Sequence, residues 1–207
     1  MSLPKSAYLS DVWRDGIFDN KVLFCTGGSG TVCSAQVRAM VHLGANACIV
    51  GRNVEKTEQM ARDIATARPG AKVIGIGAVD VRSIDSLKNA VDRCVKELGG
   101  IDFVIGQGRR GWPFKQCCHR GMRRLAKKGA DQSAIPLGRY GTVKEIADAT
   151  VYLFSDSGNY VTGSTIVVDG GAWRTQSGRS GLGFKYPDFL LSGEGITGVS
   201  GMKNSKL

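Results

Sequence analysis

Short apolar runs alternate with longer amphipathic stretches along the first half of the chain. The apolar runs end in glycine or polar residues, which is typical of buried strands. The longer stretches carry apolar residues at helical spacing and end at Gly44, Pro69 or Gly99, residue types that terminate helices. This alternation predicts a parallel sheet with right-handed crossovers. The predicted strands are 21–26, 47–50, 73–76 and 103–105, and the predicted helices are 34–43, 55–67 and 84–98.

The alternation stops at Gly106 and resumes only in part. The pattern predicts a helix over 143–154 and a last strand over 164–168. We therefore predict an α/β fold with a Rossmann-type doubly wound parallel sheet, truncated by loss of the middle strands. The predicted organisation is a polar leader (1–20), a single domain (21–173) with an aberrant basic segment (106–121), and a flexible tail rich in glycine and serine (174–207).

The turn after the first strand has the features of a dinucleotide-binding loop. Segment 28–33 resembles the GxGxxG fingerprint, with Cys33 in place of the last glycine, and it lies between a strand and a helix. Glycines here let the backbone approach a pyrophosphate, whose charge meets free N–H groups at the helix N-terminus. The alternative is a tight turn with no ligand. The predicted cofactor-binding residues of this loop are Gly27, Gly28, Ser29, Gly30 and Thr31.

Two further turns at the same edge of the sheet predict the adenosine half of the site. Arg52 follows the second strand, where an NAD-preferring fold usually has an acidic residue against the ribose 2′-hydroxyl. A guanidinium there pairs with a 2′-phosphate, so the sequence favours NADP(H); the alternative is an exposed, solvated arginine. Asp80 and Val81 follow the third strand, where the adenine would lie. Asp80 equally fits an N-cap or turn residue before the helix that starts near Ser83.

The formal charge of +10 comes from one short segment. Eight basic residues and no acidic one lie between Phe103 and Ala130, which leaves about +2 for the rest of the chain. The position of the charge matters more than its size, so the total does not by itself indicate a nucleic-acid partner. No apolar run approaches the roughly 20 residues of a membrane span, and we expect no membrane insertion.

The six cysteines do not have the pattern of a disulfide framework. Four of them lie in apolar strand or helix patterns, where reduced cysteine packs as a small hydrophobe. Cys117, Cys118 and His119 suggest zinc, but adjacent cysteines lack the usual two-residue spacer and no second ligand pair follows. We expect no metal site and a reducing intracellular compartment.

Several motifs stand in the order of the short-chain dehydrogenase/reductase family, which the chain resembles. The first half has Thr-Gly-Gly-Ser-Gly at 26–30, Gly-Arg at 51–52, Asp-Val at 80–81 and Ile-Asp-Phe-Val-Ile at 101–105. The second half is similar to the family's last helix and strand. Its motifs are Ile-Pro-Leu-Gly-Arg-Tyr-Gly at 135–141, Glu-Ile-Ala at 145–147, Val-Thr-Gly-Ser at 161–164 and Val-Asp-Gly-Gly at 168–171.

Within this family, Arg52 and the C-terminus look most like the peroxisomal 2,4-dienoyl-CoA reductases. Ser205-Lys206-Leu207 is the tripeptide that the peroxisomal import receptor binds, and it ends a tail that a receptor can reach. The resemblance implies a homo-oligomeric peroxisomal enzyme of fatty-acid degradation with NADPH as cofactor and an acyl-CoA substrate. In such enzymes hydride passes to the conjugated dienoyl-CoA, the carbonyl oxygen takes up the developing charge, and a proton follows.

The middle of the chain departs from the family pattern. In the family, the fourth strand is normally followed by an Asn-containing turn, a helix, a strand with a catalytic Ser or its replacement, a helix with a catalytic Lys, and a sixth strand. Here only segment 106–121 separates Ile105 from Met122, and it has no apolar period. Three interpretations of this segment compete: a functional basic loop, a nucleic-acid patch, and an artefact of splicing.

The genetic code favours the splicing interpretation. Joining the last two bases of each codon to the first base of the next allows 106–121 to be recoded as Ala-Lys-Ala-Gly-Val-Asp-Gly-Leu-Ser-Asn-Ser-Val-Ala-Ile-Glu, which resembles the family's catalytic-lysine helix. A frame-shifted exon boundary explains this match. The strand at 164–168 normally pairs with the missing sixth strand, so it either docks elsewhere or leaves an apolar edge open.

We therefore assign no catalytic residue. The leading hypothesis is an NADPH-dependent 2,4-dienoyl-CoA reductase by descent, inactive in this form, because the groups that stabilise charge on the substrate carbonyl are missing. One alternative is an active short-chain reductase that acts on a hydroxyl or ketone. Another is a non-catalytic nucleotide or nucleic-acid binder that uses the basic segment.

Overall fold

The computed structural model of the chain describes residues 4–106 and 135–175. Four predicted elements, at 73–76, 84–98, 103–105 and 143–154, have the expected bounds. The basic segment beyond Gly106, the tail from residue 176 and its C-terminal tripeptide lie outside the described residues. In chain order the elements are β1 (Val22–Thr26), α1 (Thr31–His42), β2 (Asn46–Val50), α2 (Val54–Ala65), β3 (Val73–Ile76), α3 (Ile84–Leu98), β4 (Phe103–Ile105), α4 (Val143–Phe154) and α5 (Ala172–Thr175), with 3₁₀ turns at Lys5–Ala7 and Asp156–Gly158.

The four strands form one parallel sheet in the order β3-β2-β1-β4. β1 lies at the centre and pairs with β2 along its whole length, from Val22 opposite Asn46 to Thr26 opposite Val50. On its other side, β1 pairs with β4. A doubly wound nucleotide-binding sheet begins in this order. The predicted α/β parallel sheet is confirmed, and within the described residues no strand lies beyond β4.

The central strands bury side chains on both faces of the sheet, which explains why they are continuously apolar rather than alternating. On one face, Leu23 and Ile49 belong to a core that includes residues of α1, α2 and α4. On the other face, Phe24 and Val50 pack with Cys94 of α3. Among the described helices, α3 alone contributes to this second core.

The leader packs against the body of the fold. Tyr8 and Phe18 are buried in the same core as α1 and α4. Asp148 of α4 accepts hydrogen bonds from Ser10 N at 3.0 Å and Ser10 Oγ at 2.5 Å, and from Trp13 Nε1 at 3.0 Å. These bonds join residues near the start of the chain to α4.

The predicted last strand at 164–168 is wrong, because the structure forms no strand there. The segment is rich in β-branched residues, which favours a strand locally, but a strand also needs a neighbour to complete its hydrogen-bond ladder. Within the described residues β4 pairs with β1 alone, and no further strand is available to 164–168. Ile166, Val167 and Val168 are therefore left 40%, 41% and 39% exposed.

The described residues divide into two units, one of 4–106 and 141–168 and the other of 135–140 and 169–175. In the second unit, Leu137 N donates to Gly170 O at 3.2 Å. The Asp169 carboxylate accepts from Gly171 N at 2.9 Å and from Trp173 N at 2.6 Å, which fixes the start of α5. The single domain predicted over 21–173 stays a prediction.

Candidate nucleotide-binding site

The turn between β1 and α1 is held against the end of β2 by its backbone. Gly27 has a φ of +69°, a conformation that favours glycine, and its N–H donates to Val50 O at 2.8 Å. Gly30 N then donates to Gly27 O at 2.9 Å, which closes the turn directly before α1. The helix starts at Thr31, earlier than the predicted residue 34, because the glycine turn leads into it without a linker.

Gly28 lies directly on β2. A Cβ atom built at this position would lie 2.5 Å from Ile49 Cβ and 2.6 Å from Ile49 Cγ2. Any side chain would therefore push the turn away from the sheet or displace a buried residue. This close approach explains in packing terms why the first glycine of the fingerprint is needed here.

The N-terminus of α1 offers unsatisfied backbone donors. Its N-cap is Gly30, which makes no side-chain capping bond, and no acidic residue occupies the first turn. Each of α2, α3 and α4 instead has a capping side chain, from Asn53, Ser83 and Thr142 respectively. Free N–H groups and the helix dipole favour a bound anion. The turn therefore fits the pyrophosphate of a dinucleotide.

Cys33 replaces the third glycine of the fingerprint without opening the fold. It is buried in the first turn of α1, near the buried Cys25 of β1, whose thiol donates to Thr26 O at 3.7 Å. The neighbouring Cys33 thiol, together with burial, raises the pKa of the Cys25 thiol well above its usual range. The third glycine normally allows close helix–strand packing, and here two small thiols fill that space. The departure from the fingerprint therefore leaves the phosphate-facing part of the loop unchanged.

The end of β2 lies next to this turn. A Cβ atom built at Gly51 would lie 2.6 Å from Thr57 Oγ1 and 3.6 Å from Ser29 Oγ, so the Ser29 hydroxyl is beside the backbone of Gly51. Arg52 follows and is exposed. Asn53 Oδ1 accepts from Lys56 N at 2.7 Å and caps α2.

The loop after β3 is tied to Gly51 by two backbone bonds. Gly51 N donates to Ile76 O at 3.1 Å, and Val79 N donates to Gly51 O at 3.0 Å. Between them Ala78 adopts a φ of +54°, which is uncommon for a residue with a Cβ and frequent at binding sites. The loop thus runs beside the end of β2 and presents Asp80 and the exposed Val81 next to Arg52.

Asp80 is a turn residue rather than a helix cap. Ser83 caps α3 by accepting from Ser86 N, whereas Asp80 Oδ1 accepts from Arg82 N at 3.0 Å and its carboxylate also binds the Arg82 guanidinium. These bonds, with a smaller contribution from the charge of Arg52, lower the pKa of Asp80 to about 2. The carboxylate is thus ionised at neutral pH.

The structure places every predicted cofactor-binding residue at the carboxyl ends of β1, β2 and β3. Sequence reasoning missed Arg82, whose signal is only its position two residues after Asp80 in a tight turn.

Among the described residues there is no group of three or more His, Cys, Asp or Glu side chains that would hold a metal ion. The cysteines that the structure describes are all free thiols. Its helices include none long and apolar enough to cross a membrane.

Two family models match the chain. Residues 21–114 match the model described as short chain dehydrogenase. Residues 119–172 match the model described as enoyl-(acyl carrier protein) reductase. The first matched range ends at residue 114 and the second begins at residue 119, so the two ranges meet within the basic segment 106–121.

Curated relatives match along most of their length. A peroxisomal 2,4-dienoyl-CoA reductase of Saccharomyces cerevisiae is 30% identical, over 78% of this chain and 87% of the yeast protein. A peroxisomal 2,4-dienoyl-CoA reductase of Danio rerio is 23% identical, over 80% of this chain and 86% of its own. The yeast alignment runs over 253 positions, more than the 207 residues of this chain, so part of the relative has no counterpart here.

Solved structures support the fold. A citronellol catabolism dehydrogenase of Pseudomonas aeruginosa has a TM-score of 0.61 at 23% identity, over 78% of this chain and 98% of its own. A short-chain dehydrogenase/reductase of Brucella melitensis has a TM-score of 0.60 at 20% identity, over 77% and 99%. At these identities the likeness concerns the fold alone.

We expect Gly28→Ala to lower the free energy of unfolding by about 1–3 kcal/mol, the usual cost of overpacking, because the new methyl group overlaps Ile49. The measurement is urea unfolding followed by circular dichroism. Gly100→Ala is the matched control, since a Cβ there has no neighbour within 4 Å. Equal stability of the two variants would contradict the close approach of the turn to β2.

Proposed function

The chain belongs to the short-chain dehydrogenase/reductase family, and we propose that it derives from an NADPH-dependent 2,4-dienoyl-CoA reductase and in this form binds the cofactor without catalysing the reaction. The observation that carries the proposal is the yeast relative, which aligns over 87% of its own length and 78% of this chain, in an alignment of 253 positions that is longer than this chain of 207 residues. The adenosine side of the fold is intact in the described residues, whereas the sequence has no position for the family's catalytic residues.

The proposed cofactor follows from the charges beside β2. Arg52 is exposed, and among the described residues it has no hydrogen-bonded or ion-paired partner. A dinucleotide whose pyrophosphate lies over the N-terminus of α1 has its adenosine ribose near the end of β2. An unpaired guanidinium there favours a 2′-phosphate over a 2′-hydroxyl. This supports NADP(H) rather than NAD(H).

The proposed substrate class comes from the relatives. The yeast and zebrafish proteins are named for the reduction of 2,4-dienoyl-CoA thioesters. When bound, a reduced nicotinamide supplies the hydride for such a reduction. What this chain contributes in the described residues is the binding of the cofactor's phosphates and adenosine.

The proposed lack of activity follows from the segment between Ile105 and Met122. Proton transfer and stabilisation of the developing negative charge require positioned groups on the substrate side of the cleft. Segment 106–121 has no apolar period, so the sequence shows neither the strand nor the helix that carry these groups in the family. No residue of this chain therefore takes a catalytic role in the proposal.

The proposed location is the peroxisome. The two relatives are named as peroxisomal enzymes. The sequence also has Ser205-Lys206-Leu207 at its C-terminus, the tripeptide that the peroxisomal import receptor recognises. The receptor and an acyl-CoA are thus the proposed partners.

The first experiment tests the cofactor. In a version whose middle segment has been restored, we expect NADPH to bind more tightly than NADH, and Arg52→Asp to reduce that preference by about tenfold or more, because it replaces a charge-assisted bond by repulsion. Calorimetric titration with both cofactors measures the preference. Arg62→Asp, a charge reversal further along α2, is the control. Equal affinity for the two cofactors before mutation would refute the assignment.

The second experiment tests the lack of activity. We expect the 207-residue chain to oxidise NADPH with a dienoyl-CoA at least about a hundredfold more slowly than the restored version, since general acid–base groups alone supply factors of this size. Both proteins are assayed side by side with the same thioester. Comparable turnover would show that the basic segment, or another residue of the chain, supports the chemistry.

The third experiment tests the address. A fluorescent protein fused in front of the complete tail is expected to enter peroxisomes, and deletion of Leu207 to leave it in the cytosol. Light microscopy against a peroxisomal marker measures the distribution. An unchanged distribution after the deletion would count against the tripeptide as the signal.

A further inference from the structure

Asp80 and Arg82 form an ion pair after the end of β3, which we call the Asp80–Arg82 chelate because the backbone and the side chain of Arg82 bind the same carboxylate. Arg82 Nε lies 3.0 Å from Asp80 Oδ1 and 3.1 Å from Oδ2, and Nη2 lies 2.6 Å from Oδ2. The backbone N–H of Arg82 donates to Oδ1 as well, at 3.0 Å. Both carboxylate oxygens of Asp80 are therefore engaged by one residue.

A second guanidinium lies beside this chelate. Gly51 exchanges backbone hydrogen bonds with Ile76 and Val79, so Arg52 and Asp80 each follow directly from a paired residue. Arg52 is also close enough for its charge to contribute to the lowered pKa of Asp80. Yet Arg52 makes no ion pair within the part of the chain that the structure describes. The Asp80 carboxylate is thus bound by Arg82 and is within range of the charge of Arg52.

This arrangement affects the 2′ position of the adenosine. A carboxylate that paired with Arg52 would neutralise its guanidinium and repel a 2′-phosphate, as the acidic residue of an NAD-preferring fold does. In the chelate, both carboxylate oxygens of Asp80 accept hydrogen bonds from Arg82. Arg52 then keeps its donors for a ligand.

We propose that Arg82 is a positioning residue for cofactor selectivity, which holds the Asp80 carboxylate away from Arg52 so that Arg52 is available to a 2′-phosphate. The inference rests on the proposed NADP(H) preference and adds the residue that maintains it. Arg82 acts through Asp80 and does not bind the phosphate itself. This distinction is what the experiment measures.

The probes are adenosine 2′,5′-bisphosphate and adenosine 5′-monophosphate, which differ only in the 2′-phosphate. They occupy the adenosine half of the site, which the described residues form, so the 207-residue chain is used as it is. The readout is the dissociation constant of adenosine 5′-monophosphate divided by that of adenosine 2′,5′-bisphosphate, both measured by calorimetry. A high ratio means a preference for the 2′-phosphate. Effects of a substitution on adenine binding or on general stability alter both constants and cancel in this ratio.

We expect Arg82→Ala to lower the ratio about fivefold, as for other interactions between exposed charges, because the released carboxylate pairs with Arg52. Adding Asp80→Asn to Arg82→Ala should return the ratio to within about twofold of the original, since the amide carries no charge to offer Arg52. Arg82→Lys should give an intermediate ratio, because an ammonium engages the carboxylate less completely than a guanidinium fork. High salt should shrink all these differences.

Arg93→Ala is the matched control. Arg93 is also an exposed arginine that binds a carboxylate, with Nε 2.6 Å from Glu97 Oε1, but it lies well along α3 from the site. Its removal should leave the ratio unchanged.

Two outcomes would overturn the inference. An unchanged ratio in Arg82→Ala would show that Asp80 does not compete for Arg52. A lowered ratio that Asp80→Asn fails to restore would show that Arg82 contacts the phosphate itself. Arg52→Ala, measured in parallel, separates these failures from that of the proposed function. If Arg52→Ala lowers the ratio and Arg82→Ala does not, the inference alone fails; a ratio near one in the unmutated chain overturns both.

Discussion

The geometry of the site depends on the contact between Gly28 and Ile49. With no side chain at Gly28, the β1–α1 turn lies directly on β2, and a Cβ would overlap the buried isoleucine. This contact sets the uncapped N-terminus of α1 over the carboxyl edge of the sheet, where free N–H groups meet an anion. The close turn also brings Ser29 beside Gly51, and Gly51 in turn holds the loop after β3 by backbone bonds. One steric constraint thus aligns three successive strand ends.

Sequence patterns predicted the parts of the fold that local chemistry decides. The bounds of β3, α3, β4 and α4 agree with prediction, because helical periodicity, glycine stops and short apolar runs are local signals. The prediction of a strand at 164–168 was wrong because a strand needs a pairing partner, and the described residues offer none. Glycine positions in the site were predictable from the fingerprint, but the Asp80–Arg82 chelate was not, since it depends on the side-chain geometry of a turn.

The two halves of the sheet carry different chemistry, and this chain retains them unequally. The described strands, in the order β3-β2-β1-β4, provide the side on which phosphates and adenosine bind. Substrate and catalytic groups belong to the strands that normally continue the sheet beyond β4. In the described part of the chain Val104 of β4 and the apolar residues 166–168 are exposed, as expected for a sheet edge without a neighbouring strand. Cofactor binding and catalysis are therefore separable by position in this fold.

In the proposed site, selectivity at the 2′ position depends on which charges pair with each other, more than on the presence of a residue type. Arg52 suggests a 2′-phosphate, whereas Asp80, after the third strand, brings a carboxylate of opposite charge to the same edge of the sheet. The charges of Arg52 and Asp80 would neutralise each other if the two side chains formed an ion pair. The chelate directs the carboxylate to Arg82 and leaves one positive charge uncompensated at the end of β2. A motif that considers only Arg52, the residue after the second strand, therefore omits Arg82. The net charge of this part of the site depends on Arg82, because Arg52 and Asp80 alone sum to zero.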